Sequence, residues 1–175
     1  MTERPRLRIA TPDDADAVSR VLRASYGALM KPAYSDTVLD AVLPLITTAN
    51  PALLAGGTYY VALLDGTIVG CGGWTFARPG APDAPVDPKR GHIRHFATDP
   101  AWTRRGVARA LMERCITDAE AAGATTLEAY ATLVAEAFYR SAGFRTVAAI
   151  DVPIRPGVDL PSLHMIRSAV PDPAD

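Results

Sequence analysis

Apolar and polar positions alternate over Leu7-Arg8-Ile9-Ala10, the period of a short strand. Thr11-Pro12-Asp13-Asp14 then marks a helix start. Thr11 suits the N-cap, Pro12 the first helical position, and the two aspartates favour the positive end of the helix dipole. Ala15, Val18, Leu22, Ser25 and Leu29 recur at helical spacing. A second helical pattern covers about 35–45, with Val38, Leu39, Val42, Leu45 and Ile46 on its apolar face, and Gly56-Gly57 closes that region. Residues 58–64 are β-branched and aromatic and end at Asp65-Gly66, a hairpin turn into a return strand over 67–76. Within that strand Gly70, Gly72 and Gly73 predict a bulge or the close approach of another backbone or a ligand.

Residues 78–90 carry prolines and glycines and read as a loop. A strand over 92–98 stops at Asp99-Pro100, and a long amphipathic helix over 105–122 places Val107, Leu111, Cys115 and Ala119 on one stripe. Gly123 is its expected C-terminal cap. A strand over 125–131, a helix over 134–142 capped by Gly143, and a strand over 144–154 follow. A Pro/Gly turn region over 155–161 leads to a last strand over 163–169, and the tail 171–175 is expected to fray. The order β-α-α-β-β-β-α-β-α-β-β predicts a mixed α/β sheet with helices packed on it.

The 175 residues suffice for one domain, with 1–175 read as a single unit whose core is about 6–169. A formal charge of −1 argues against a nucleic-acid or anionic-lipid surface. Cys71 and Cys115 are too few for a disulfide framework or a zinc cluster and read as small buried hydrophobes. The charged N-terminus has no apolar leader core, and no apolar run approaches the roughly 18 residues of a membrane span, so a cytoplasmic location without membrane contact is expected.

The chemistry concentrates in Phe96-Ala-Thr-Asp-Pro-Ala-Trp-Thr-Arg-Arg-Gly-Val-Ala-Arg109. A strand runs into a basic turn, and a glycine opens a helix. The first N–H groups of a helix have no internal partner and share the positive end of its dipole, which makes an anion site. Gly106 and the small Ala108 let an anion approach the backbone, while Arg104, Arg105 and Arg109 add positive charge. No Walker loop and no Gly-x-Gly-x-x-Gly fingerprint is present.

Thr103-Arg104-Arg105-Gly106-Val107-Ala108 resembles the acyl-CoA signature Gln/Arg-x-x-Gly-x-Gly/Ala of the GCN5-related N-acetyltransferases, the GNAT family, with Thr103 departing at the first position. Ala137-Phe138-Tyr139-Arg140-Ser141-Ala142-Gly143-Phe144 resembles the family's Phe-Tyr…Gly-Phe element, without the asparagine often found several residues earlier. The resemblance implies the GNAT fold: a mixed, mostly antiparallel central sheet flanked by helices, with a splayed acyl-CoA cleft between the fourth and fifth strands. It implies acetyl transfer from acetyl-CoA to a primary amine of a small molecule or peptide, with no metal, by a monomer or homodimer.

By that resemblance Tyr139 is the candidate acid beside the thioester. Phe96, Ala97, Thr98, Arg104, Arg105, Gly106, Val107, Ala108 and Arg109 are expected to hold the cofactor. Backbone groups of Phe96 and Thr98 would pair with its pantetheine arm, and an N–H near Phe96 or Ala97 would meet the oxyanion. His92 and His95 are rival bases, since imidazole titrates near neutrality, and a chain of waters is the third possibility. Strand alternation sets them on opposite faces, unless a bulge intervenes. Tyr26, Tyr34 and Trp74 are candidates for the acceptor pocket, and His164 could also face it. The competing functions are a non-catalytic acyl-CoA sensor, which would keep Arg104 to Arg109 without a working Tyr139, and a binding module for another phosphate ligand.

Overall fold

A computed structural model describes residues 4–170. Seven strands, β1 (Arg6–Ile9), β2 (Tyr59–Leu64), β3 (Thr67–Thr75), β4 (Arg90–Thr98), β5 (Thr126–Thr132), β6 (Arg145–Arg155) and β7 (Val158–Ser168), form one sheet in the order β1-β2-β3-β4-β5-β7-β6. All neighbours are antiparallel except β4 and β5. A parallel pair needs a crossover, here supplied by helix α4 (Val107–Ala121). That pair holds only at Arg90↔Thr126, Gly91↔Leu127 and His92↔Glu128. Beyond it β4 stays with β3 and β5 stays with β7, so the sheet opens into a V.

The cause of the parting is local. The β3–β4 register shifts between Cys71 and Gly73, and His95 takes a left-handed φ of 45°. Two residues of β4 there oppose one of β3, which bends and twists the strand. Two phenols hold the bend: Tyr59 donates to the His95 carbonyl at 2.8 Å and Tyr26 to the Phe96 carbonyl at 3.0 Å.

Helix α1 (Ala15–Leu29) buries Val18, Val21, Leu22 and Ser25, and α2 (Asp36–Ile46) buries Leu39 and Val42, on one side of the sheet. On the other side α4 buries Val107, Leu111, Met112, Cys115 and Ala119, joined by α5 (Glu136–Ser141) through Tyr139. Cys71 and Cys115 are both buried and free. Thr11 caps as expected, its N–H bonded to the Asp14 carboxylate at 2.8 Å, but the first turn, Pro12–Asp14, is 3₁₀. Ser35 accepts from the Val38 N–H to start α2.

Two elements differ from the sequence reading. A short helix α3 (Pro51–Ala55) follows α2, capped by Asn50 accepting from the Ala52 N–H at 2.9 Å. Five residues are too few to show a period, although Asn50-Pro51 carries the cap signal. The last strand starts at Val158, so the turn region is shorter than 155–161 and Pro161 lies inside β7. Pro161 faces Asp151 only, because β7 meets β5 no earlier than Ser162, so its missing N–H breaks no ladder bond toward β5. The tail 171–175 lies outside the described residues.

The bulge expected from the β3 glycines is there, and each glycine also admits a close neighbour: Gly70 lies under the Val107 and Leu111 side chains, Gly72 under the Phe96 ring, and at Gly73 the backbone of Thr58 and Tyr59 comes close. A Cβ on Gly70 would overlap Val107 Cγ1 and stand 3.2 Å from Leu111 Cδ1, so Gly70→Ala pushes α4 off the sheet. Overpacking of this kind costs about 1–3 kcal/mol. Urea unfolding of Gly70→Ala should show a lower midpoint with an unchanged slope, and an unchanged midpoint would contradict this packing.

Candidate active site

The V between β4 and β5 opens a cavity of about 770 Å³. Tyr26 of α1 and Met30 just after it line the cavity from one side of the sheet, and Met112 of α4 with Phe138 and Tyr139 of α5 from the other. His95, Phe96, Ala97 and Thr98 form its β4 wall and Tyr130 belongs to its β5 wall. The cavity therefore passes through the sheet where the ladder is missing.

At the α4 end, Asp99 starts a 3₁₀ turn (Pro100–Trp102) by accepting from the Ala101 N–H at 3.0 Å. Arg20 ties that aspartate to the core by bonding it at 3.2 Å and the Ile68 carbonyl at 2.7 Å. The chain then takes left-handed φ at Arg104 (62°) and Gly106 (77°) before α4 begins. Alternation of this sort turns successive N–H groups toward one point and makes an anion-binding concavity. The Ala110 N–H bonds the Gly106 carbonyl at 2.9 Å, so the N–H groups of Val107, Ala108 and Arg109 precede the first bond of the helix. A Cβ at Gly106 would meet no protein atom within 4 Å, so the glycine is required by its φ rather than by a neighbour.

Arg104 and Arg109 line the cavity. Arg105 does not: its guanidinium lies 4.9 Å over the Trp102 ring, and it borders a neighbouring depression with Arg4, Arg109 and Glu113. Arg109 Nε is bonded to Glu113 at 2.8 Å on the surface.

Tyr139 is buried at the other end, its ring edge-on to Phe138 and Phe144 at 5.4 and 5.3 Å between centroids. Burial, with the Cys115 thiol nearby, raises the phenol's pKa, so it is a neutral donor at every physiological pH. Tyr26 reaches the cavity wall with its hydroxyl spent on Phe96, which occupies a carbonyl the sequence reading assigned to the pantetheine arm. The Thr98 hydroxyl is buried without a partner among the described residues.

The two histidines separate as the bulge dictates. His95 lines the cavity, whereas His92 does not. His92 is 6% exposed, with Nδ1 at 3.7 Å from Glu128 Oε2. Burial pulls His92 down to about 4, helped by the charges of Arg90, Arg94 and Arg78, and burial with Arg94 does the same to His95. Tyr34 and Trp74 also lie off the cavity. The Tyr34 hydroxyl donates to the Pro161 carbonyl at 2.7 Å and accepts from the Leu133 N–H at 2.8 Å, tying β7 to the chain that follows β5. Trp74 is buried in the core beside Phe76. His164 sits on β7 with Nε2 at 3.5 Å from Glu128 Oε2. The sequence reading missed Tyr130 and Glu128. The alternation Leu127, Ala129, Ala131 toward the core sets both on the opposite face, and that pattern was available.

Among the described residues no group of three or more His, Cys, Asp or Glu could hold a metal, and no helix is long and apolar enough to cross a membrane.

Comparison with known proteins bears on the same segment. The model of the acetyltransferase (GNAT) family matches residues 23–144. No curated protein sequence matches the chain. Among solved structures, a GCN5-related N-acetyltransferase from Rhodopseudomonas palustris is similar with a TM-score of 0.72 and 23% identity, over 96% of this chain and 98% of that one. The PaiA N-acetyltransferase of Thermoplasma acidophilum, solved with coenzyme A, has a TM-score of 0.72 and 14% identity, over 95% and 99%. N-acetylglutamate synthase of Neisseria gonorrhoeae, solved with coenzyme A and N-acetyl-glutamate, has a TM-score of 0.63 and 16% identity, over 98% of this chain but 36% of that one.

The depressed histidines make stability depend on pH. A histidine that stays neutral in the fold but protonates when unfolded at 6.5 leaves the unfolded state holding more protons, so stability falls as pH drops from 6.5 toward about 4. Each such group removes about 2 kcal/mol between pH 7 and pH 5. Denaturant unfolding at the two pH values should show this loss, reduced in His92→Asn by the share of that one ring; a flat dependence would contradict the burial of His92 and His95.

Proposed function

The chain belongs to the acetyltransferase (GNAT) family, whose members use acetyl-CoA as co-substrate, and from that premise we propose that it transfers the acetyl group of acetyl-CoA to a primary amine of a small molecule or peptide. One observation carries the reading: a single cavity at the gap in the sheet is lined both by the left-handed turn at Arg104–Gly106 and by Tyr139.

The N–H groups of Val107, Ala108 and Arg109 would receive the cofactor's pyrophosphate, with Arg104 adding charge at the cavity. The thioester would lie along β4, where the ladder to β5 has stopped, using backbone groups other than the His95 and Phe96 carbonyls that Tyr59 and Tyr26 occupy. The acceptor would enter from the α1 side. Its nitrogen attacks the thioester carbonyl, the oxygen takes the negative charge beside the Ala97 segment, and the carbon–sulfur bond breaks to release coenzyme A as thiolate. Tyr139 stabilises the departing sulfur. Its raised pKa exceeds the roughly 8.5 of a thiol, so it acts by donating a strong hydrogen bond rather than by losing its proton.

His95 is the better placed of the two candidate bases, since it lines the cavity and His92 does not. Held neutral down to about pH 4, it accepts the ammonium proton only transiently and relays it to solvent.

Calorimetric titration with acetyl-CoA and a thiol-release assay over a panel of amines test the proposal together. Binding and turnover are expected, while binding without turnover of any amine would favour a sensor. Tyr139→Phe should lower kcat about 10- to 100-fold with an unchanged acetyl-CoA Kd; an unaltered kcat would remove Tyr139 from the mechanism. Gly106→Val forces a β-branched residue into a left-handed φ and should weaken acetyl-CoA binding about tenfold or more, and wild-type affinity would displace the pyrophosphate from this turn.

A further inference from the structure

On the α1 side of the sheet, β4, β5, β7 and the loop after β3, which carries Arg78, bring three arginines, two histidines and one glutamate together. Arg90 is taken up: it is paired with Glu128 and lies 3.9 Å from Asp87. Glu128, 7% exposed, spends one oxygen on Arg90, and its other oxygen lies 3.7 Å from His92 Nδ1 and 3.5 Å from His164 Nε2. Arg94 and Arg78 have no carboxylate within 4 Å among the described residues. Arg94 is half-buried and its one side-chain hydrogen bond is to the Thr75 hydroxyl at 3.0 Å.

A guanidinium withdrawn from water without a counter-charge is costly, and an anionic ligand removes that cost. The surface also reaches the reaction site. Arg94 lies outside the cavity lining but directly precedes His95, which belongs to it, and the Tyr130 ring, in the opposite wall, lies 5.6 Å from the His164 ring. His92 and His164 are both lowered by burial, and the charges of Arg90 and Arg78 add to that.

We propose that this surface is the acceptor subsite and that it selects an amine whose molecule also carries a carboxylate, held by Arg94 with Arg78 at its edge. The proposal rests on the acetyltransferase reading and narrows its acceptor class. A guanidinium grips a carboxylate in two parallel hydrogen bonds, whereas a polyamine would meet repulsion from the same arginines.

The test is thiol release with L-amino acids, their carboxamides and simple alkylamines, alongside NMR titration of malonate into the protein. The acids should exceed their amides in kcat/KM by about tenfold or more, the worth of a charge-assisted hydrogen bond. Arg94→Ala should raise KM for the acids about 10- to 100-fold and weaken malonate binding in parallel, with the acetyl-CoA Kd unchanged and Arg94→Lys recovering part of the loss. Equal turnover of acids and amides, preference for polyamines, or malonate binding equal in wild type and Arg94→Ala would each overturn the proposal. The acid-to-amide comparison in the wild type stands even if the variants fail to fold. If acetyl-CoA itself does not bind, the acetyltransferase reading falls; if it binds and malonate does not, only the anionic acceptor falls.

Discussion

The structure depends on one bend in one strand. At His95 the backbone of β4 turns left-handed, the register with β3 slips, and the parallel pairing with β5 ends after His92. A continuous sheet would have no opening here; the bend leaves a gap through which both faces of the molecule line a common cavity. The bend does not rest on the ladder alone. Tyr59 and Tyr26, from β2 and α1, each bond a carbonyl within it, so the helices on one side of the sheet share in holding the gap open.

The two sides of that gap carry different electrostatics. On the α4 side the positive potential comes from backbone dipoles and from exposed arginines at the helix start, which suits a multiply charged anion that stays hydrated at its rim. On the α1 side it comes from side chains drawn partly out of water, with the local carboxylates already paired to Arg90. Desolvation strengthens such a field and makes it selective by charge. Tyr139 lies on the α4 side of the gap, enclosed by Phe138 and Phe144 and kept protonated by that enclosure.

Much of this was legible in the chain. The hairpin at Asp65-Gly66, the cap at Thr11, the stripe of α4 and the helix-ending glycines 123 and 143 are consequences of contacts within a few residues, and they stand where the pattern put them. The short helix α3 and the early start of β7 were not legible, the first for want of a period and the second because a proline in a strand is admissible only where no neighbour needs its N–H. Within the site, Arg104, Gly106, Tyr139 and Tyr26 could be named from sequence, whereas the roles of Tyr34 and Trp74 turned on packing partners far along the chain.

The sequence by itself determined the order of the strands and of the longer helices, the basic glycine turn before α4 and the family, since caps, turn chemistry and periodicity act over a few neighbouring residues. Only the tertiary structure decided which histidine meets the cavity and which arginine lacks a counter-charge. The side-chain alternation of a strand has a period of two, and a bulge resets it according to the strand alongside. Glu128 could take up Arg90 and leave Arg94 open only after β5 had been laid against β4 across the α4 crossover, a pairing that no local pattern in either strand encodes.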